Sequence, residues 1–422
     1  MHDRVQHRQA ASNCSNPRLR GLRTEDSGSY SVAQRVRGGG RAGRVLAVTS
    51  PFEELSVEEL RAHGSIKWRQ YDADVLPLWI AEMDAMPPAS VADELVAMAR
   101  AGDLGYPPLG TAYAAGLLDI ASRRWGWEFD LELTSACADV ITGVARAIGV
   151  ATRAGETVVV PTPVYPPLLM LPAEAGREVA QVPCTPEGRL DLAALDVALA
   201  SPSATALLLC SPHNPTGVVH TADELRAVAA LASEHGVTVI VDEIHALLVP
   251  SGTAFVPWLS VADAGLVVTS ASKAYNLAGL KAGVVIAGPA SASLRAGFPE
   301  SMPYGASYVG QRTHLAAWSG GDDWLEAVNA AVVDNAGYLD ELLAAELPGV
   351  VYRRPESTYL AWLDCRALGL GDDPAAAFLE RGRVALNSGP TFGDAGRGFV
   401  RLNLAASRTT LADAVHRMAT SL

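Results

Sequence analysis

The chain has 422 residues, 49% of them hydrophobic and 19% charged, with a formal net charge of −13 at pH 7. Its length and apolar content suit a large globular core, and no apolar run approaches the roughly 18 to 20 residues that a membrane crossing takes, so the sequence predicts a soluble, cytoplasmic protein with no membrane partner. The acidic balance excludes a nucleic-acid surface, and five scattered cysteines without a CxxC pair exclude a disulfide framework or a zinc ribbon.

Residues 1–45 carry nine Arg against three acids. They are polar and without period, which predicts a disordered basic tail or a stretch read from a start codon placed too far upstream. Gly38, Gly40 and Gly43 have GxGxxG spacing there, but no apolar strand precedes them, and the match is treated as chance. Residues 46–95 are too short for a domain and predict an arm that packs with the C-terminal part of the chain.

Residues 96–325 predict the large domain. From about residue 130 helical patterns alternate with short apolar runs, TVVV (157–160), ALLL (206–209), VTVIV (237–241) and LVVT (266–269). This is the pattern of a mostly parallel sheet covered by helices. Each run is followed by a residue able to do chemistry: Tyr165, Asn214, Asp242 and Lys273. In open α/β sheets ligands bind outside the carboxyl ends of the strands, so these four are expected in one crevice. A helix over 322–347 then leads into a smaller α+β domain, residues 326–422.

Lys273 and Lys281 are two of only three lysines; the third is Lys67. Arg stays charged and is a poor nucleophile, whereas a lysine amine can lose its proton and form an imine. A chain that otherwise uses Arg and keeps Lys273 just past a strand points to amine chemistry. Asp242 closes an apolar run, where an acid is costly unless paired, although Asp also suits a helix N-cap. There is no HExxH, Walker loop or GxSxG, and the nine His lack metal-ligand spacing.

Together with PLWIAEMDAMPP (77–88), SPHNPTG (211–217), DEIH (242–245) and TYLAWLD (358–364), these stretches resemble the fold-type I aminotransferase superfamily and, within it, the cystathionine β-lyases of the MalY/PatB type. The resemblance runs from about residue 50 to the end. It implies a three-layer α/β fold, pyridoxal 5′-phosphate as cofactor, an amino-acid substrate and a homodimer with shared sites.

Residue by residue, the resemblance implies that Lys273 carries the cofactor and moves the Cα proton. Asp242 would face the pyridine nitrogen, Asn214 and His245 the phenolic oxygen, and Tyr165 the ring face. The phosphate would be held by the helix start at Gly143, Val144 and Ala145, by Lys281, and by Tyr106 donated from a second subunit, where Tyr106 would also assist catalysis; Ser270 and Ser272, which flank the lysine, would also bind the cofactor. Arg401 would grip the substrate α-carboxylate. The implied reaction is β-elimination from cystathionine or another cysteine S-conjugate, giving a thiol, pyruvate and ammonia. The alternative, with the same residues, is an aminotransferase. The lyases continue after SPHNPTG with Arg and Trp, where this chain has VVHT. Some relatives of this branch bind a transcription factor, for which the basic tail is the candidate surface.

Overall fold

The computed structural model describes residues 50–422; the basic stretch over 1–45 lies outside the described residues. Seven strands build the main sheet: β1 Thr134–Cys137, β2 Thr157–Thr162, β3 Glu178–Pro183, β4 Ala204–Cys210, β5 Thr238–Asp242, β6 Leu266–Thr269 and β7 Gly283–Ala287. Their order is β1-β7-β6-β5-β4-β2-β3. The five from β6 to β3 are parallel, and β7 is antiparallel to β1 and β6. The four apolar runs of the sequence fall on β2, β4, β5 and β6.

Apart from one threonine in three of them, those runs are apolar on consecutive residues because both faces of the sheet are covered. Val158, Val160, Ile240 and Val268 share a core with α1 (Val140–Ala151) and α2 (Pro166–Glu174). Their neighbours Val159, Val239, Val241 and Val267 point the other way, into a core with α3 (Leu192–Leu199) and α4 (Ala222–Glu234). Helix, sheet and helix are the three layers of an α/β fold. No helix among the described residues is long and apolar enough to cross a membrane.

After α5 (Tyr308–Gly320) and the long α6 (Asp322–Glu346), a second sheet forms from β8 Val351–Tyr352, β9 Leu360–Asp364, β10 Asn387–Ser388 and β11 Phe399–Asn403. It is antiparallel, in the order β10-β11-β9-β8. The final helix, α7 (Arg408–Thr420), packs along α6. Near the start of the described chain, Leu76–Pro77 pairs in parallel with Val384–Ala385.

The residues just beyond that pairing form no regular structure, yet a buried carbonyl must still find a donor. Side chains supply them. The carbonyl of Trp79 accepts from Arg401, Ile80 from Asn403, Ala81 from Lys273 and Tyr359, Glu82 from Lys67 and Asn403, and Met83 from Asn276. Lys67 also meets Asp84 at 2.7 Å, with both side chains buried. This strap, Trp79–Met83, is held from the large sheet's loops on one side and from the second sheet on the other.

Candidate active site

The strap closes one side of a cavity of about 260 Å³ at the carboxyl ends of the central strands. Tyr165, Asn214 and Lys273, which follow β2, β4 and β6, and Asp242, the last residue of β5, all line it. Arg401 enters from β11, Asn387 from β10, and the N-terminus of α1 supplies Asp139, Val140 and Ile141. A larger hollow of about 690 Å³, lined by Trp125, Phe255 and Glu326 among others, contains none of these groups.

The loops are fixed by local chemistry. Gly217 has φ +71°, and a Cβ there would lie 2.3 Å from Cβ of Pro355, so the turn of HNPTG accepts only glycine. The N–H of Tyr165 donates to the Asn214 carbonyl at 3.0 Å, tying the loop after β2 to that after β4.

Charge inside the cavity is arranged by burial. Asp242 is 3% exposed, and burial raises its carboxyl to about 6 against a hydrogen bond from the Ile244 N–H and the charge of Lys273. Its other oxygen has no partner among the described residues. Burial, then the charge of Arg401, lowers the amine of Lys273 to about 8, within reach of its neutral form near physiological pH; its Nζ donates to the Ala81 carbonyl at 2.9 Å. Burial lowers His245 to about 3, so it is a neutral imidazole, and its Nδ1 has no partner. Arg401 is lowered by burial to about 10 and remains charged. It donates to Asn214 Oδ1 at 3.0 Å and to the Trp79 carbonyl at 3.1 Å, while its Nε is unpartnered. With Oδ1 engaged, Asn214 has its amide N–H groups left to donate.

This donor set fits the cofactor anticipated from the sequence. A free carboxylate oxygen, an orphaned imidazole nitrogen and the unpaired backbone N–H groups of Val140 and Ile141 all border the same space.

Some expected positions need correction. α1 begins at Val140 behind the N-cap Asp139, three residues earlier than expected. Gly143 and Val144 are therefore inside the helix and buried in the core, and Ala145, also within α1, does not line the cavity. Gly143 is required for packing: a Cβ there would lie 2.5 Å from Val268 Cγ1. Ser272 lines the cavity, but Ser270 is behind the wall, its hydroxyl donating to the Ala282 carbonyl at 2.7 Å. Lys281 is at the rim, paired with Asp139 at 2.9 Å. Tyr106 does not line this cavity and is 90% exposed.

The sequence reading missed Asp139 and Asn387 as walls of the site. Asp139 had a signal, an Asp directly before an apolar helical pattern, which is an N-cap signature. Asn387 had none, since β10 is two residues long.

Comparison with known proteins agrees with this architecture. The model of the family described as aminotransferase class I and II matches residues 114–418. A Mycobacterium tuberculosis protein named "Putative cystathionine beta-lyase" is 45% identical over 404 residues, covering 89% of this chain and 99% of its own length. The "Cystathionine beta-lyase" of Corynebacterium glutamicum is 34% identical over 88% of this chain and all of its own. Among solved structures, a Corynebacterium diphtheriae protein described as a "putative plp-dependent beta-cystathionase" superposes with a TM-score of 0.81 at 33% identity, covering 88% of this chain and 98% of that one. With a matching fold, a matching family model and relatives matched over nearly their whole length, this chain belongs to the aminotransferase class I and II family.

Proposed function

We propose that this chain is a pyridoxal-phosphate-dependent carbon–sulfur lyase that performs β-elimination on cystathionine or a related cysteine S-conjugate. The observation that carries the reading is the convergence of Lys273, Asp242 and Arg401 on one cavity in a chain whose similar relatives are named cystathionine β-lyases. Pyridoxal phosphate, when bound, supplies an electron-withdrawing ring that stabilises negative charge at the substrate Cα.

The chain's own residues do the rest. Asp242 offers its free carboxylate oxygen to the ring nitrogen, and Asn214 with neutral His245 meets the ring oxygen. Tyr165 covers the ring face. Arg401, already aimed by Asn214 and the Trp79 carbonyl, binds the α-carboxylate. The amine of Lys273 takes the proton from Cα, and the thiolate leaves from Cβ and is protonated. With one water consumed, the products are the thiol, pyruvate and ammonia.

The active form proposed is a cytoplasmic homodimer in which Tyr106 reaches the partner's cavity and assists there. Its support is exposure: Tyr106 is 90% exposed and shares its loop with Leu104 and Leu109, exposed by 61% and 62%. The boundaries at about residues 95 and 325 remain the proposed division between arm, large domain and small domain.

The test is product analysis. Cystathionine or another S-conjugate, given without a keto acid, is expected to yield thiol, pyruvate and ammonia in equal amounts. No thiol, with transfer of an amino group from an amino acid to a 2-oxo acid, would replace the lyase by the aminotransferase that the family description also covers.

A further inference from the structure

The end of the cavity formed by α1 carries an acid beside unpaired helix N–H groups. The N–H groups of Val140 and Ile141 have no acceptor among the described residues, and a helix N-terminus favours an anion through those donors and its dipole. Yet the N-cap is Asp139, a carboxylate lining the same cavity. One of its oxygens accepts from the Thr142 N–H at 2.7 Å, removing a donor that an incoming anion could use. The other is 2.9 Å from Lys281, cancelling the side-chain cation nearest the helix end. Asp139 is half-buried, Lys281 is exposed, and both line the cavity, Lys281 at its rim.

We propose that Asp139 sets how tightly this chain holds the cofactor's phosphate, weakening it by placing a like charge in the cradle. This rests on the pyridoxal-phosphate reading above. An acid at the cradle repels a phosphate and occupies both a backbone donor and a lysine, so the cofactor is held less firmly than the helix end together with an unpaired Lys281 would hold it. Occupancy then follows the supply of cofactor, and the chain exchanges it more readily than one with a neutral cap.

The test separates charge from capping. Asn is as good an N-cap as Asp, so Asp139→Asn keeps the bond to Thr142 and removes only the charge. Full-length protein is equilibrated by dialysis against graded pyridoxal phosphate and, separately, pyridoxal, and occupancy is read from visible absorbance. Asp139→Asn is expected to bind pyridoxal phosphate on the order of ten-fold more tightly, with pyridoxal unchanged because it has no phosphate. Lys281→Met is expected to loosen pyridoxal phosphate alone by a similar factor, and the double variant, which removes both members of the ion pair, to return close to the parent. Asp139→Ser, a second capping residue without charge, should behave as Asp139→Asn does. If both neutral variants bind pyridoxal phosphate no more tightly than the parent, or tighten pyridoxal equally, the proposal is overturned. Parent protein that takes up neither compound overturns the cofactor reading itself, and this proposal with it.

Discussion

Lys273 and Tyr359 donate to the same oxygen, the carbonyl of Ala81, at 2.9 and 3.1 Å. Tyr359 is wholly buried and is itself no part of the cavity lining, so its hydroxyl acts by fixing the acceptor to which the lysine amine turns. A carbonyl has two lone pairs, and here each has one donor. Tyr359→Phe leaves the oxygen to Lys273 alone, which favours the charged amine. Turnover is expected to fall roughly five-fold, the worth of one hydrogen bond, and the pH at which Lys273 gains reactivity should move up. A loss of stability with an unmoved pH profile would reduce Tyr359 to a packing residue.

The amine itself can be read directly. Burial and Arg401 lower Lys273 from its ordinary value to about 8, and only the neutral amine is a nucleophile. In cofactor-free protein, acylation of Lys273 should therefore rise with pH and reach half its maximum near pH 8, more than two units below an exposed lysine. Peptide mapping assigns the label. The two other lysines are ion-paired, Lys67 with Asp84 and Lys281 with Asp139.

Lys67 is expected to matter for folding. Its ion pair with Asp84 is 2.7 Å long and its side chains are 0% and 2% exposed. Burial raises the Asp84 carboxyl and the lysine opposes that shift. Lys67→Met leaves the acid buried without its partner and should cost about 3–5 kcal/mol, whereas replacing both members by apolar residues should recover most of the loss. Urea unfolding measures both.

A shared site makes a distinct prediction. Lys273→Ala and Tyr106→Phe, each nearly inactive alone, should partly restore turnover when mixed and allowed to exchange subunits, because some hybrid dimers contain one site with both native residues. No recovery, with exchange verified by mass, would count against donation of Tyr106.

Much of this site was legible because strands buried on both faces are written as unbroken apolar runs, and whatever ends such a run stands at the sheet's carboxyl edge. That rule located Tyr165, Asn214, Asp242 and Lys273 without any contact information. It failed where position depends on distant partners. Gly143 looked like a phosphate-binding glycine, but its constraint is the approach of α1 to Val268 on β6, which no local pattern records. Ser270 looked like a cofactor-binding residue, but its hydroxyl turns to Ala282, twelve residues on. The strap 79–83 has no period at all; its shape is set by side chains from Lys67, Asn276, Tyr359, Arg401 and Asn403.

The two cores that meet across the sheet have a consequence for how this protein can change. Because alternate residues of β5 are committed to opposite cores, inserting or deleting one residue before Asp242 would turn the whole strand over. The separation of acid and lysine is thus a property of the sheet. The remaining wall of the cavity is built differently, in part from the strap and from Asn387 on a two-residue strand, both outside the main sheet. Preference for one sulfur substituent over another can drift through those few residues while the reaction centre keeps its dimensions, so variants with new substrates should be sought there first.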